Sequence, residues 1–191
     1  MKRSKIMNKK VLGVLLALSL LAVSAFSVAA DSGTIDLIGG TLSVTTADVV
    51  MSSVTLDGTN QVSISPASSN NWTATDARGS GAGWNLAISA TNFSDGAGQE
   101  IDISQPDTEF KIQLLDADVT VINGNAKPTS LVTTLTPIPN AGTLKFLSAA
   151  TGEGMGSYAI HPSFALEIPA DLHVGAGGYT STITVTAVTG P

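Results

Sequence analysis

Downstream of residue 30 the chain offers two histidines, four cations, 15 carboxylates and no cysteine from which to build chemistry. His161 lies in Ile160-His161-Pro162, and His173 follows Asp171 by two positions. Neither has a second ligand at i+2 or i+4, the spacings that put two side chains on one strand or helix face, so no metal site is expected around them. Asp102, Asp107 and Glu109 crowd one stretch, and Asp116 and Asp118 another. Oxygen clusters of this kind can hold calcium, but neither follows the EF-hand order, and solvated acidic loops account for both. Gly79-Ser80-Gly81 lacks the strand–turn–helix setting of a nucleophile elbow. The alternation Gly79, Gly81, Gly83 carries no lysine where a phosphate-cradling loop would place one. No pair of carboxylates is singled out as a glycosidase would need. Without cysteine, thiol catalysis, thiolate metal sites and disulfides are all excluded. The expectation is a chain with no catalytic residue, no metal and no cofactor.

What remains is suited to recognition. Residues 76–86 read Asp-Ala-Arg-Gly-Ser-Gly-Ala-Gly-Trp-Asn-Leu. Asp76 can accept from the backbone two residues on and set a turn. Arg78 can pair with Asp76 or offer its planar fork to another carboxylate. The alternating glycines permit backbone conformations closed to other residues and let a ligand or another chain come close. The turn then delivers Trp84 into an alternating run in which Trp84, Leu86, Ile88 and Ala90 share one face. Spacing alone makes Trp84 the packing anchor of a hairpin. Trp72, in Asn70-Asn71-Trp72-Thr73, is either a half-buried strand residue or, if exposed, a platform for a sugar ring, and Tyr158 and Tyr179 share that ambiguity. With aromatics at only 5%, the chain lacks the spare aromatic surface of a dedicated carbohydrate groove.

The elements that must hold these residues are strands. Short alternating stretches rich in Thr, Val and Ile recur between Gly, Pro, Asn and Asp, with no sustained helical stripe. Strands are predicted over residues 34–38, 41–45, 61–65, 71–75, 84–91, 109–115, 119–122, 143–148, 164–168 and 180–188. In the last of these Tyr179, Ser181, Ile183, Val185 and Ala187 face inward, opposite a row of threonines at 180, 182, 184 and 186. Strands polar on one side belong to antiparallel sheets. The fold class is therefore all-β, an antiparallel sandwich of immunoglobulin-like or related Greek-key topology. Gly39-Gly40, Asp57-Gly58, Asn123-Gly124 and Gly177-Gly178 read as tight turns, and residues 128–139 and 151–156 as irregular loops.

Residues 1–30 stand apart. Lys2, Arg3, Lys5, Lys9 and Lys10 precede an apolar stretch over residues 11–23, and Val28-Ala29-Ala30 supplies the small residues of a cleavage site. This is the layout of a secretory signal peptide, the apolar stretch being shorter than the ~20 residues of a spanning helix. Residues 31–191 then form one domain, long enough to fold without disulfides. No membrane insertion is expected after cleavage. That domain sets four basic against all 15 acidic residues, a net charge of −11. Nucleic acid is excluded as a partner, because its binding rests on neutralising phosphates.

Three stretches, in order, resemble the WxL domain, a surface module of Gram-positive-type bacteria. Residues 76–93 contain the first Trp-x-Leu motif as Trp84-Asn85-Leu86, residues 152–158 resemble a glycine-rich loop of that family, and residues 169–191 resemble its closing strand. The second Trp-x-Leu is replaced by Val185-Thr186-Ala187. The resemblance implies a secreted, non-catalytic protein at the cell wall surface, associating noncovalently with peptidoglycan, another wall polymer or other surface proteins. Asp76, Arg78, Trp84, Leu86, Trp72 and Tyr179 are the candidate wall-binding residues. The alternative is a structural subunit of an extracellular fibre or surface layer, in which a short strand near a terminus is exchanged between subunits.

Overall fold

The computed structural model describes residues 34–174 and 177–191. The expected signal peptide, residues 1–30, lies outside them. Residues 38–191 form the folded body, and it is built from strands. These are β1 (Leu42–Thr45), β2 (Gln61–Ser65), β3 (Trp72–Asp76), β4 (Trp84–Ala90), β5 (Phe93–Ser94), β6 (Glu100–Ile101), β7 (Phe110–Gln113), β8 (Val119–Gly124), β9 (Thr129–Ser130), β10 (Thr136–Pro137), β11 (Leu144–Ala149), β12 (Gly156–Ile160), β13 (Ser163–Ile168) and β14 (Ile183–Thr189). Pairing throughout is antiparallel, in three four-stranded sheets with the orders β1-β3-β12-β8, β10-β7-β13-β2 and β14-β4-β11-β9, plus the small β5-β6 ribbon. The sheets pack as a sandwich, as the alternation requires.

The core lies where the inward faces meet. Trp72 from β3 lies edge-on to Phe146 of β11 (6.2 Å) and tilted against Phe164 of β13 (5.7 Å). Phe164 stacks on Phe110 of β7 at 5.5 Å, and Phe110 meets Phe93 edge-on at 5.1 Å. One chain of aromatic contacts thus ties all three large sheets together, each pair adding about 1 kcal/mol beyond its burial. β4 is central in its sheet. Trp84, Leu86 and Ile88 on its inner face are completely buried, and Asn85 and Ala87 on the other face are nearly so.

Several boundaries differ by a residue or two, as strand ends do, and the last strand begins three residues later than expected, at Ile183. Five differences are larger. Residues 34–38 form no strand; Ile35, Leu37 and Ile38 stand 83%, 83% and 93% exposed. β12 falls partly where a loop was predicted, between β3 and β8, with Tyr158 and Ile160 turned inward. Asn123-Gly124 closes β8 instead of forming a turn, because Gly124 and Gly156 lie opposite each other with positive φ and their backbones approach too closely for any Cβ. Gly39-Gly40 is likewise no turn. Neither residue has positive φ; the pair runs beside residues 77–78, with the Gly40 N–H donating to the Ala77 carbonyl. Within residues 128–139, predicted irregular, β9 and β10 add two short edge pairings.

Candidate functional site: a glycine-loop cluster held from below

Three loops meet at one end of the sandwich: residues 77–83 between β3 and β4, residues 125–127 after β8, and residues 150–155 between β11 and β12. Gly79, Gly81 and Gly83 all have positive φ, between 61° and 71°. At Gly83 a Cβ would lie 2.6 Å from the Ala149 carbonyl oxygen, so glycine is required by space as well as by conformation. The Gly152 N–H donates to the Gly81 carbonyl (2.8 Å), and the Gly154 N–H to that of Ala126 (3.1 Å), so each loop supports another.

Two side chains fasten the first loop. Asp76 is the last residue of β3, its side chain wholly buried, and Arg78 lies two residues on with 16% of its side chain exposed. The guanidinium grips both carboxylate oxygens, Nε to Oδ1 at 2.8 Å and Nη2 to Oδ2 at 2.9 Å. Its other donors reach the Gly83 carbonyl (2.9 Å) and Thr189 Oγ1 on β14 (2.7 Å). Arg78 therefore clasps the ends of β3, β4 and β14 together. The bidentate bond holds the Asp76 carboxyl below the usual carboxylate range, against burial that pushes the other way, and it raises the Arg78 guanidinium in turn. The Tyr158 hydroxyl is pushed up by burial and by nearby Asp76.

Trp84 and Asn125 fasten the other two loops. The Trp84 indole N–H donates to the Gly154 carbonyl at 2.8 Å, while its ring leans on Tyr158 at 6.2 Å. Gly154 has φ of 69°, and a Cβ there would stand 2.6 Å from the indole nitrogen. The Asn125 side chain donates to the Gly152 carbonyl (2.7 Å) and accepts from the Met155 N–H (2.9 Å), and the Tyr158 hydroxyl donates towards Met155 and Asn125 oxygens. Asn125 went unnoticed in the sequence, where only the Asn-Gly pair before it marks the region.

The six candidate residues divide. Asp76, Arg78, Trp84 and Leu86 assemble at or beneath the loop cluster; Trp72 and Tyr179 do not. Trp84 and Leu86 expose none of their surface and Trp72 only 1%, so none of them offers a face to a sugar. The Trp72 indole N–H donates to the Ala47 carbonyl (3.2 Å). Half-buried Tyr179 gives its hydroxyl to the His173 carbonyl (2.6 Å). Trp72 and Tyr179 both border a separate cleft of about 480 Å³, described below. His161 Nδ1 lies 3.0 Å from the Asn70 carbonyl oxygen. Among the described residues no three His, Asp or Glu side chains gather as a metal site, and no helix is long and apolar enough to cross a membrane.

The described residues thus form an all-β antiparallel sandwich, free of disulfides, with hydrogen-bonded glycine loops gathered at one end. A family model described as "WxL domain surface cell wall-binding" matches residues 24–191, and the chain belongs to that family. It is a cell-wall-binding surface protein. No curated protein and no solved structure matches it.

The register relates the family's two motif stretches. Leu86 pairs with Ala187 and Trp84 with Thr189, so Val185-Thr186-Ala187 runs alongside the first Trp-x-Leu on the neighbouring strand. Val185 and Ala187 do turn inward, but on an edge strand that leaves both half-buried.

Proposed function

We propose that this protein is a non-catalytic module, exported by a cleaved signal peptide, that holds noncovalently to peptidoglycan through the glycine-loop end of its sandwich. The observation that carries this reading is the contrast between the two sides of the loops. Below, the Arg78 fork, the Trp84 indole and the Asn125 amide hold the backbone rigidly. Above, Gly79, Ser80, Thr151 and Gly152 are exposed. A surface whose backbone is already ordered loses little entropy on binding, which suits hydrogen-bond recognition of an uncharged glycan or its peptides. The acidity of the domain disfavours phosphate-rich wall polymers. In this reading Asp76, Arg78, Trp84 and Leu86 position the surface without touching the ligand.

The test is co-sedimentation of the secreted protein with wall sacculi, before and after removal of phosphate-containing polymers. Binding is expected to survive that removal and to fall at least tenfold in Ser80→Trp with an unchanged melting temperature. A folded wild type that stays in the supernatant would overturn the proposal. Full binding by Ser80→Trp would move the contact away from these loops.

A further inference from the structure

We propose that residues 34–38 of one molecule add as a strand beside β14 in the cleft of a second copy, so that the protein assembles head to tail. Two independent features of the chain meet in this reading. The first is the donor. Thr34-Ile35-Asp36-Leu37-Ile38 has the alternation of a strand, with Ile35 and Leu37 on one side and Asp36 on the other. It lies in no strand among the described residues, and its three large apolar side chains are each more than four-fifths exposed. Isolated apolar residues on a surface mean little, but three within four positions of a strand-patterned segment are a ready template for pairing with another chain.

The second feature is the acceptor. β14 pairs with β4 along one edge, and no strand among the described residues pairs with its other edge. β1 lies close to β14. Beyond Thr45 a cleft opens, walled by residues 46–51 on one side and by Tyr179, Ile183 and Val185 on the other, with Phe93 and Phe110 among its lining. Its volume of about 480 Å³ is in the range of sites that take small apolar groups. A second cleft of about 340 Å³ continues past the same Met51, Phe93 and Tyr179 towards Ile101 and Leu166. An added strand would bond to the free backbone of β14 and turn Ile35 and Leu37 towards Val49, Met51, Ile183 and Val185 in a lining that also holds Thr46, Asp48 and Ser181, with Asp36 and Ile38 on the outer side. Backbone pairing gives affinity and the alternate side chains give selectivity, as in strand addition generally.

Donor and acceptor are different surfaces, so the contact is heterologous and each copy has one of each to offer. The proposal does not depend on wall binding, because neither surface uses the exposed loop residues Ser80 and Thr151.

The experiment is sedimentation velocity on the secreted protein across a concentration series. Wild type is expected to shift from monomer to a ladder of larger species. Leu37→Asp removes the donor, and Val50→Asp, at an exposed position on the cleft wall, impairs the acceptor. Each is expected to weaken association at least tenfold without changing the melting temperature. Mixed at equal concentration, the two variants should form a one-to-one dimer and nothing larger, because only one productive pairing remains. Wild type that is monomeric at every concentration overturns the proposal, as does assembly that persists in Leu37→Asp. A mixture that yields no dimer overturns it as well.

Discussion

Replacing Arg78 by alanine tests the clasp and the electrostatics beneath it together. The substitution removes a bidentate partner from a carboxylate whose side chain is fully buried, and it frees the Gly83 carbonyl and Thr189. Breaking a buried pair by deleting one partner costs about 3–5 kcal/mol. Arg78 itself reaches the surface, where solvent screens the pair, so the cost falls below that range, to about 2–3 kcal/mol at pH 7 or a fall in melting temperature of about 5–10 °C for a domain of this size. The pH dependence separates this account from a simple loss of packing. In the wild type the folded-state pKa of Asp76 is depressed, so its contribution is present above the unfolded carboxylate pKa of about 4 and is lost as pH falls through the folded value. In Arg78→Ala the leading cause of that depression is gone and burial remains, which raises the folded pKa. The variant's penalty is then relieved on acidification, so the stability gap should be widest near neutrality and narrow towards pH 4 and below. Urea unfolding of both proteins at several pH values measures that gap directly, and the other carboxylates cancel in the difference. A gap that stays constant with pH would mean that Asp76 is not charged against Arg78, and the reasoning would fail.

Other expectations follow from single contacts. Gly154→Ala forces a Cβ onto the Trp84 indole and Ala149 at a positive φ, and should cost about 2 kcal/mol or more in chemical denaturation. Trp84→Phe keeps most of the buried ring but leaves the Gly154 carbonyl without its 2.8 Å donor, so about 1–3 kcal/mol should be lost. Faster amide exchange in residues 150–155 would mark that loss as local. Lys111→Met removes the ion pairs to Glu109 (2.9 Å) and Glu167 (2.6 Å), all three side chains partly exposed, and should move the unfolding midpoint by less than about 1 kcal/mol.

Alternation made the long strands legible. Trp84, Leu86, Ile88 and Ala90 face the core as their spacing requires, and the threonines of β14 face water. β12 was hidden because Gly154-Met155-Gly156 looks like a loop until β3 and β8 are known to flank it. β5, β6, β9 and β10 are too short to show any period. The Asp76–Arg78 pairing was readable two residues apart, whereas the reach of Arg78 to Thr189 spans 111 positions and belongs to the fold. Asn125 was invisible for the same reason, since its partners lie 27 and 30 residues away. Residues 34–38 teach the converse. Their pattern is that of a strand, and the structure has none there, so alternation reports what a segment could pair with and not what it does pair with.

Val185 is where the family pattern and the cleft meet. It occupies the place of the second motif's tryptophan, and the register sets it beside Ile88 with its side chain on the cleft wall. An indole there would reach into the space bordered by Phe93 and Phe110. Val185→Trp should therefore fill the cleft from within. The added ring buries on the order of 100 Å² more apolar surface, worth about 2–3 kcal/mol, and some of that is returned in strain against neighbours packed for valine. A net gain of about 1 kcal/mol is expected, together with loss of the concentration-dependent assembly, because the seat for Ile35 and Leu37 is taken. Sacculus binding should be unchanged, since the loop cluster is untouched. The two signs are linked: stability rises as assembly falls. A variant that melts earlier yet still assembles would show that position 185 does not open onto the cleft that receives the donor strand, and the link between the altered motif and self-association would be refuted.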